Sequence, residues 1–265
     1  MPVIIYSGKT LGYKRFKDAM WKTEKLLELG VVGINKEVDV TFGTLIDKFG
    51  DIKGIPGPTP KSYKPEITAN KTDEGLIELA LDDRSAIIIK KILENDQQRH
   101  DELRFFLYSN ILVSVWGAFE TYIQMLFEEL LTKKPEMLKS KETILLEDII
   151  SNKENIVNYL VERQIETIGH FKVEDLISYL KKKINFTLTP TETKNIKEVY
   201  FIRNIIAHKS GIVRTSQISK LPKGIKVKSN ELEIPIAYLK KVIKLIKKVS
   251  KSIEETVEDK FYKKT

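Results

Sequence analysis

The chain contains no cysteine. Disulfide scaffolds, thiolate zinc sites, iron–sulfur clusters and cysteine nucleophiles are therefore excluded. The absence also fits a reducing compartment. Histidine is scarce: only His100, His170 and His208 occur. A multi-histidine metal centre would have to draw on residues far apart in sequence, so no metal and no cofactor are expected. No stretch reaches the roughly 18 apolar residues that a spanning helix needs. The nearest candidate, residues 105–119, is broken by Ser109, Asn110 and Ser114 and bounded by Arg104 and Glu120. The first residues, MPVIIYSGKTLGYKRF, lack the apolar region and small-residue cleavage site of a signal peptide. A soluble cytoplasmic protein that does not engage a membrane is expected. Also missing are a Gly-x-Ser-x-Gly elbow and a Gly-rich dinucleotide fingerprint. Ser7-Gly8-Lys9-Thr10 resembles the end of a phosphate-binding P-loop, but Val3 stands where the first glycine would have to be.

What remains is ample for a folded core. The chain has 265 residues, 42% of them hydrophobic, a size that suits one or two domains. The formal net charge is +8, and it is unevenly distributed. Residues 203–265 hold 16 Lys+Arg against 6 Asp+Glu, a net of +10, while the rest holds 29 against 31, a net of −2. A basic excess confined to the last quarter suits a phosphate-bearing partner. A solvated lysine face that aids solubility would produce the same count.

Residues 50–65 (GDIKGIPGPTPKSYKP) are dense in Gly and Pro, which break helix and sheet. They mark a boundary between an N-terminal extension with its linker, residues 1–65, and a helical domain, residues 66–265. Within the extension, residues 15–30 read as a helix with Phe16, Met20, Leu26 and Leu27 on one face and Gly30 as its C-cap. In the helical domain, residues 73–100 form one expected helix and residues 103–131 a longer, strongly apolar second. The polar stretch His100-Asp101-Glu102 lies at the expected helix end between them. Pro135 ends the second. Residues 144–168 read as one or two helices ending at Gly169, and residues 173–184 as another with Val173, Leu176, Ile177 and Leu180 inward. Thr189-Pro190-Thr191-Glu192 fits a capping box with proline at the first helical position. The helix it starts runs through NIKEVYFIRNIIAHKS toward Gly211, a left-handed terminator. GIKVKSNELEIP then reads as a β-hairpin turning at Ser229-Asn230. Residues 236–257 form an amphipathic helix with Leu239, Val242, Ile243, Ile246, Val249 and Ile253 inside and lysines outside.

His208 stands out because it closes the hexapeptide RNIIAH near the end of the best-defined helix. At ~100° per residue, Asn204 and His208 fall about 40° apart, whereas Arg203 lies roughly 140° from His208. One helix does not obviously build a compact site from these residues; long arginine reach or a second copy of the helix is needed. Arg203 sits among Ile196, Val199, Tyr200 and Ala207, and a buried guanidinium is costly unless paired. Glu120 interrupts the long apolar helix in the same manner. Pairing Arg203 with Glu120 resolves both anomalies. Histidine titrates near neutral pH and suits general acid–base work, while arginine can stabilise charge on phosphate oxygens. RNA supplies its own nucleophile in the 2′-hydroxyl, so such a pair can cut it without metal. The plainer alternative is a histidine that caps carbonyls and an arginine that bridges two helices.

Arg203-Asn204-Ile205-Ile206-Ala207-His208 resembles the R-x4–6-H motif of HEPN-domain proteins, in the form with a polar residue after the arginine. WGAFETYIQMLFEELL, residues 116–131, is similar to the first core helix of these domains, and the glycine, hairpin and terminal helix after the motif match the bacterial defence and toxin-type members. The resemblance covers residues 75–257 and leaves out residues 1–70. Arg163 and His170 also satisfy the spacing, but Gly169 precedes that histidine and no asparagine follows the arginine. The resemblance implies an all-α HEPN-type helical bundle with a small β-hairpin and an N-terminal extension, usually homodimeric, so that two motifs meet in one cleft. It implies a metal-independent endoribonuclease acting on RNA, with an antitoxin or defence-system partner protein. His208 would be the acid–base residue, Arg203 the phosphate and transition-state partner, Asn204 a positioning group and Glu120 a supporting residue. Other members only bind nucleic acid, nucleotides or partners, so a non-catalytic binding module stays open, as does a purely structural interaction protein.

Overall fold

The computed structural model describes residues 9–38, 67–71, 77–81, 83–138 and 143–262. The Gly- and Pro-rich residues 50–65 lie outside them. The fold is all-α with small antiparallel β-hairpins. In chain order it comprises α1 (Leu11–Val38), β1 (Ile67–Lys71), β2 (Ile77–Leu81), α2 (Asp83–Lys133) and a 3-10 turn (Pro135–Leu138). Then come α3 (Leu146–Ser151), α4 (Ile156–Gly169), α5 (Val173–Ile184) and α6 (Pro190–Lys209). The chain continues through α7 (Thr215–Ile218), β3 (Lys226–Lys228), β4 (Glu231–Glu233), α8 (Ile236–Val257) and a π turn (Glu258–Tyr262). No described helix is long and apolar enough to cross a membrane.

Two compact units divide the chain inside α1 and α2: Met1–Leu27 with Tyr108–Thr265, and Glu28–Leu107. The second unit holds the end of α1, the β1–β2 hairpin (register Ile67 opposite Leu81) and the start of α2. Two expectations fail there. β2 occupies part of the stretch read as helical from residue 73, and α2 runs unbroken through His100-Asp101-Glu102 instead of ending at them. Hydropathy marks the polar run as a break, yet Glu, Gln, Arg and Leu are strong helix formers and no proline interrupts residues 83–133. Gly30 likewise does not cap α1, which continues to Val38. A Cβ at Gly30 would meet the tip of the Leu107 side chain, which would have to shift.

The first unit is a bundle built around the second half of α2. Ile111, Leu112, Val115, Trp116, Phe119, Tyr122, Ile123, Leu126, Phe127, Leu130 and Leu131 recur at three- and four-residue spacing and are almost completely buried. Burying each such side chain contributes about 1.5–3 kcal/mol, so this helix dominates the core. The start of α1 lies on it through Tyr13 and Phe16, whose rings stand 5.7 and 5.4 Å from that of Tyr122. Gly12 permits the approach, because a Cβ there would reach 3.0 Å from Met125 Cβ. Phe16, Met20 and Leu27 are buried as expected, but Leu26 is exposed, one helical step off the inward face. α5 begins and ends where its periodicity places it. α8 buries all six expected inward residues, and Tyr238 and Val257 besides.

Glu254 on α8 is fully buried. Its carboxylate accepts hydrogen bonds from Thr10 N (2.5 Å), Thr10 Oγ1 (2.9 Å) and Tyr122 Oη (3.1 Å). Thr10 also caps α1, accepting from Tyr13 N at 3.2 Å. The Lys9-Thr10 pair that echoed a P-loop therefore starts a helix, with Lys9 paired to Glu258 at 3.0 Å.

Candidate active site

α6 carries the motif, and local sequence explains its limits. Thr189 Oγ1 accepts from Glu192 N at 3.2 Å, and Glu192 Oε2 accepts from Thr189 N at 3.0 Å, completing the capping box. Lys248 on α8 holds the Glu192 carboxylate at 2.8 Å and, with Thr189, pulls it below the ordinary carboxylate range. At the other end Ser210, not Gly211, first enters the left-handed region (φ 49°), and Gly211 follows at φ 85°. Gly211 N bonds Ile205 O at 3.2 Å, and Leu232 N bonds Gly211 O at 3.0 Å. The end of α6 is thus tied to the β3–β4 hairpin. That hairpin forms as expected, with both turn residues left-handed (Ser229 φ 50°, Asn230 φ 65°), which matches the twist of paired strands.

Between these ends, Ile196, Val199, Ile202 and Ile205 bury one stripe of α6. Arg203 sits beside it, and its side chain is 23% exposed. The expected pair with Glu120 forms: Arg203 Nη2 donates to Glu120 Oε2 at 3.1 Å. Arg203 Nη1 donates to Asn204 Oδ1 at 3.0 Å, and Arg203 Nε is buried without a hydrogen-bond partner. One turn back on α2 and α6, the Trp116 and Tyr200 rings stand 5.4 Å apart. The guanidinium is therefore neutralised on one edge and fixed in direction.

His208 lies in the last turn of α6 and is exposed. No hydrogen bond joins it to Arg203 among the described residues. Asn204 lies between them in role: its Oδ1 is taken by Arg203, and its position one turn before His208 puts both on one face. A single chain thus presents an anchored guanidinium, a half-buried amide and a solvent-facing imidazole along one short segment. The second motif match is unlike this: Arg163 pairs weakly with Asp148 at 3.8 Å, and His170 is the exposed residue that follows α4. Among the described residues no three His, Asp or Glu side chains gather to hold a metal ion.

Much of the basic footprint lies on α8. Lys247 pairs with Glu24 (2.9 Å), Lys248 with Glu192 and Lys251 with Glu255 (3.6 Å). Lys240, Lys241 and Lys244 are exposed and make no ion pair among the described residues. The Trp116–Tyr200 contact and the Glu254 cluster are absent from the sequence reading. The first follows from helical spacing to Glu120 and Arg203; the second joins residues 244 apart and leaves no local signal. No family model matches the chain, and comparison with curated proteins and with solved structures gives no match.

Proposed function

We propose that the protein is a metal-independent endoribonuclease of the HEPN type, working as a cytoplasmic homodimer in a bacterial defence or toxin–antitoxin system. What supports this most is the motif geometry: Arg203 held by Glu120 and Asn204, with His208 open to solvent one turn beyond Asn204. Two such segments facing each other supply what one lacks, an imidazole and a guanidinium directed at the same phosphate. In the reaction His208 takes the proton of a ribose 2′-hydroxyl, and the oxygen attacks the adjacent phosphorus. Arg203 stabilises the charge that develops on the non-bridging oxygens. The 5′-oxygen leaves and takes that proton from the His208 imidazolium, giving a 2′,3′-cyclic phosphate and a 5′-hydroxyl and restoring the neutral imidazole. Asn204 keeps the guanidinium in register, and Glu120 holds it from behind. The lysines of α8 add attraction for the RNA backbone, so binding weakens as salt rises.

The test is incubation of the purified protein with total RNA or tRNA in EDTA. Cleavage should proceed with the chelator present and stop in His208→Ala. Cleavage that needs added metal, or that survives His208→Ala, refutes this mechanism. One observation favours a second function, a non-catalytic module that binds nucleic acid, a nucleotide or a partner: the Arg203 guanidinium is already engaged within the chain, as in a helix-bridging arginine. Unimpaired function of an Arg203→Ala, His208→Ala double variant would establish it.

A further inference from the structure

The face of α6 that carries His208 extends back toward the start of the helix. Lys194, Lys197, Phe201, Asn204 and His208 follow one another at three- and four-residue steps, so all lie within about 40° of one line along the helix. The first three of these line a groove of about 690 Å³, together with Leu188, Glu198 and Lys220. It is shallow and open to solvent, the form of a surface along which a strand can lie. Its floor is apolar, with buried Leu188 and half-buried Phe201. Its rim is cationic. Lys194 is 3.9 Å from Glu198, Lys197 is 3.2 Å from Glu174, and exposed Lys220 has no ion pair among the described residues. Exposed pairs of this kind contribute only about 0–1 kcal/mol, so a phosphate can displace the carboxylates. Phe201 precedes His208 by seven residues, or roughly 10 Å along the axis.

We propose that this groove is a nucleotide subsite for single-stranded RNA, in which Phe201 stacks one base and Lys197 and Lys220 hold the flanking phosphates, leading the strand along α6 to His208. The occupant rests on the ribonuclease function proposed above. The chemistry is that of single-strand binders generally, an aromatic platform inside a cationic groove. Three lysines against one lining acid give the groove its sign, and the shared helix face gives the strand its direction.

The experiment measures fluorescence anisotropy of a labelled 2′-O-methyl RNA decamer, which cannot be cut by 2′-hydroxyl attack, titrated with full-length protein. Base–aromatic stacking is worth about 1–3 kcal/mol, so Phe201→Leu should weaken binding about five-fold or more. Lys220→Ala, on an exposed residue, should weaken it too and reduce the salt slope by about 0.7 per lost phosphate contact. Lys17→Ala removes the same charge from α1 and should bind as wild type. If Phe201→Leu fails to melt like wild type, Lys220→Ala decides. Affinities of the groove variants within twofold of wild type, or no binding by wild type, overturn the subsite. Cleavage of unmodified RNA is scored separately. Groove-dependent binding without cleavage removes the nuclease and leaves the subsite; cleavage with groove-independent binding does the reverse.

Discussion

Replacing Glu254 by glutamine keeps its shape and removes its charge, and the buried cluster makes the consequence calculable. Burial pushes the Glu254 carboxyl above its ordinary range, outweighing the Thr10 and Tyr122 donors that favour the charged form; the nearby Glu258 carboxylate pushes the same way. Between the unfolded carboxyl pKa and this raised value, the folded chain holds a proton that the unfolded chain has released. Stability therefore falls as pH rises through that window and is greatest below it, with a slope of at most about 1.4 kcal/mol per pH unit. Glu254→Gln does not titrate, so its stability relative to wild type should rise from pH 4 toward neutrality. Glu254→Ala instead leaves the Thr10 amide without an acceptor, although Tyr122 Oη can turn to Ser250 O at 3.3 Å. One or two buried donors unsatisfied cost about 2–4 kcal/mol in total. That corresponds to a Tm drop of roughly 4–16 °C for a unit this size. The assay is urea unfolding of wild type and both variants at several pH values. A wild-type-minus-Gln difference that does not change with pH, or an alanine variant as stable as wild type, refutes the reasoning.

Two further outcomes are expected. Thr189→Ala removes the cap acceptor of α6 and should cost about 1 kcal/mol, read as a Tm drop of about 2–4 °C; no change would mean the capping box contributes nothing. Glu120→Ala strands a half-buried guanidinium and should cost about 1–2 kcal/mol, between the values for exposed and fully buried pairs. A double-mutant cycle with Arg203→Ala should recover most of that as coupling, and additive losses would contradict the pairing.

Features with local causes were legible in the sequence. The α6 start, the Ser229-Asn230 turn and the inward face of α8 each follow from a few neighbouring residues whose chemistry permits little else. The Arg203–Glu120 pair was legible for a different reason: two charges in two apolar stripes each require a partner, and each is the other's simplest one. The continuity of α2 was not, because a polar run reads as a break when propensity, not hydropathy, decides. Leu26 was misplaced because its neighbour Leu27 satisfies the same periodicity one step round the helix. The Thr10–Glu254 junction depends on packing between the two ends of the chain, which no window of sequence contains. The lysine–phenylalanine groove is no part of the sequence reading: Lys194, Lys197 and Phe201 share a helix face, but Leu188 and Lys220 join them only through the fold.

The ribonuclease proposal is tested most directly by the chemistry of the product ends. A defined RNA oligonucleotide, cut by wild type in chelator, should yield fragments ending in 2′,3′-cyclic phosphate and beginning with 5′-hydroxyl. A single 2′-O-methyl group at the cut nucleotide should abolish that cut, and His208→Ala should yield no fragments. Products bearing 5′-phosphate, or a cut that persists beside the 2′-O-methyl group, would contradict it.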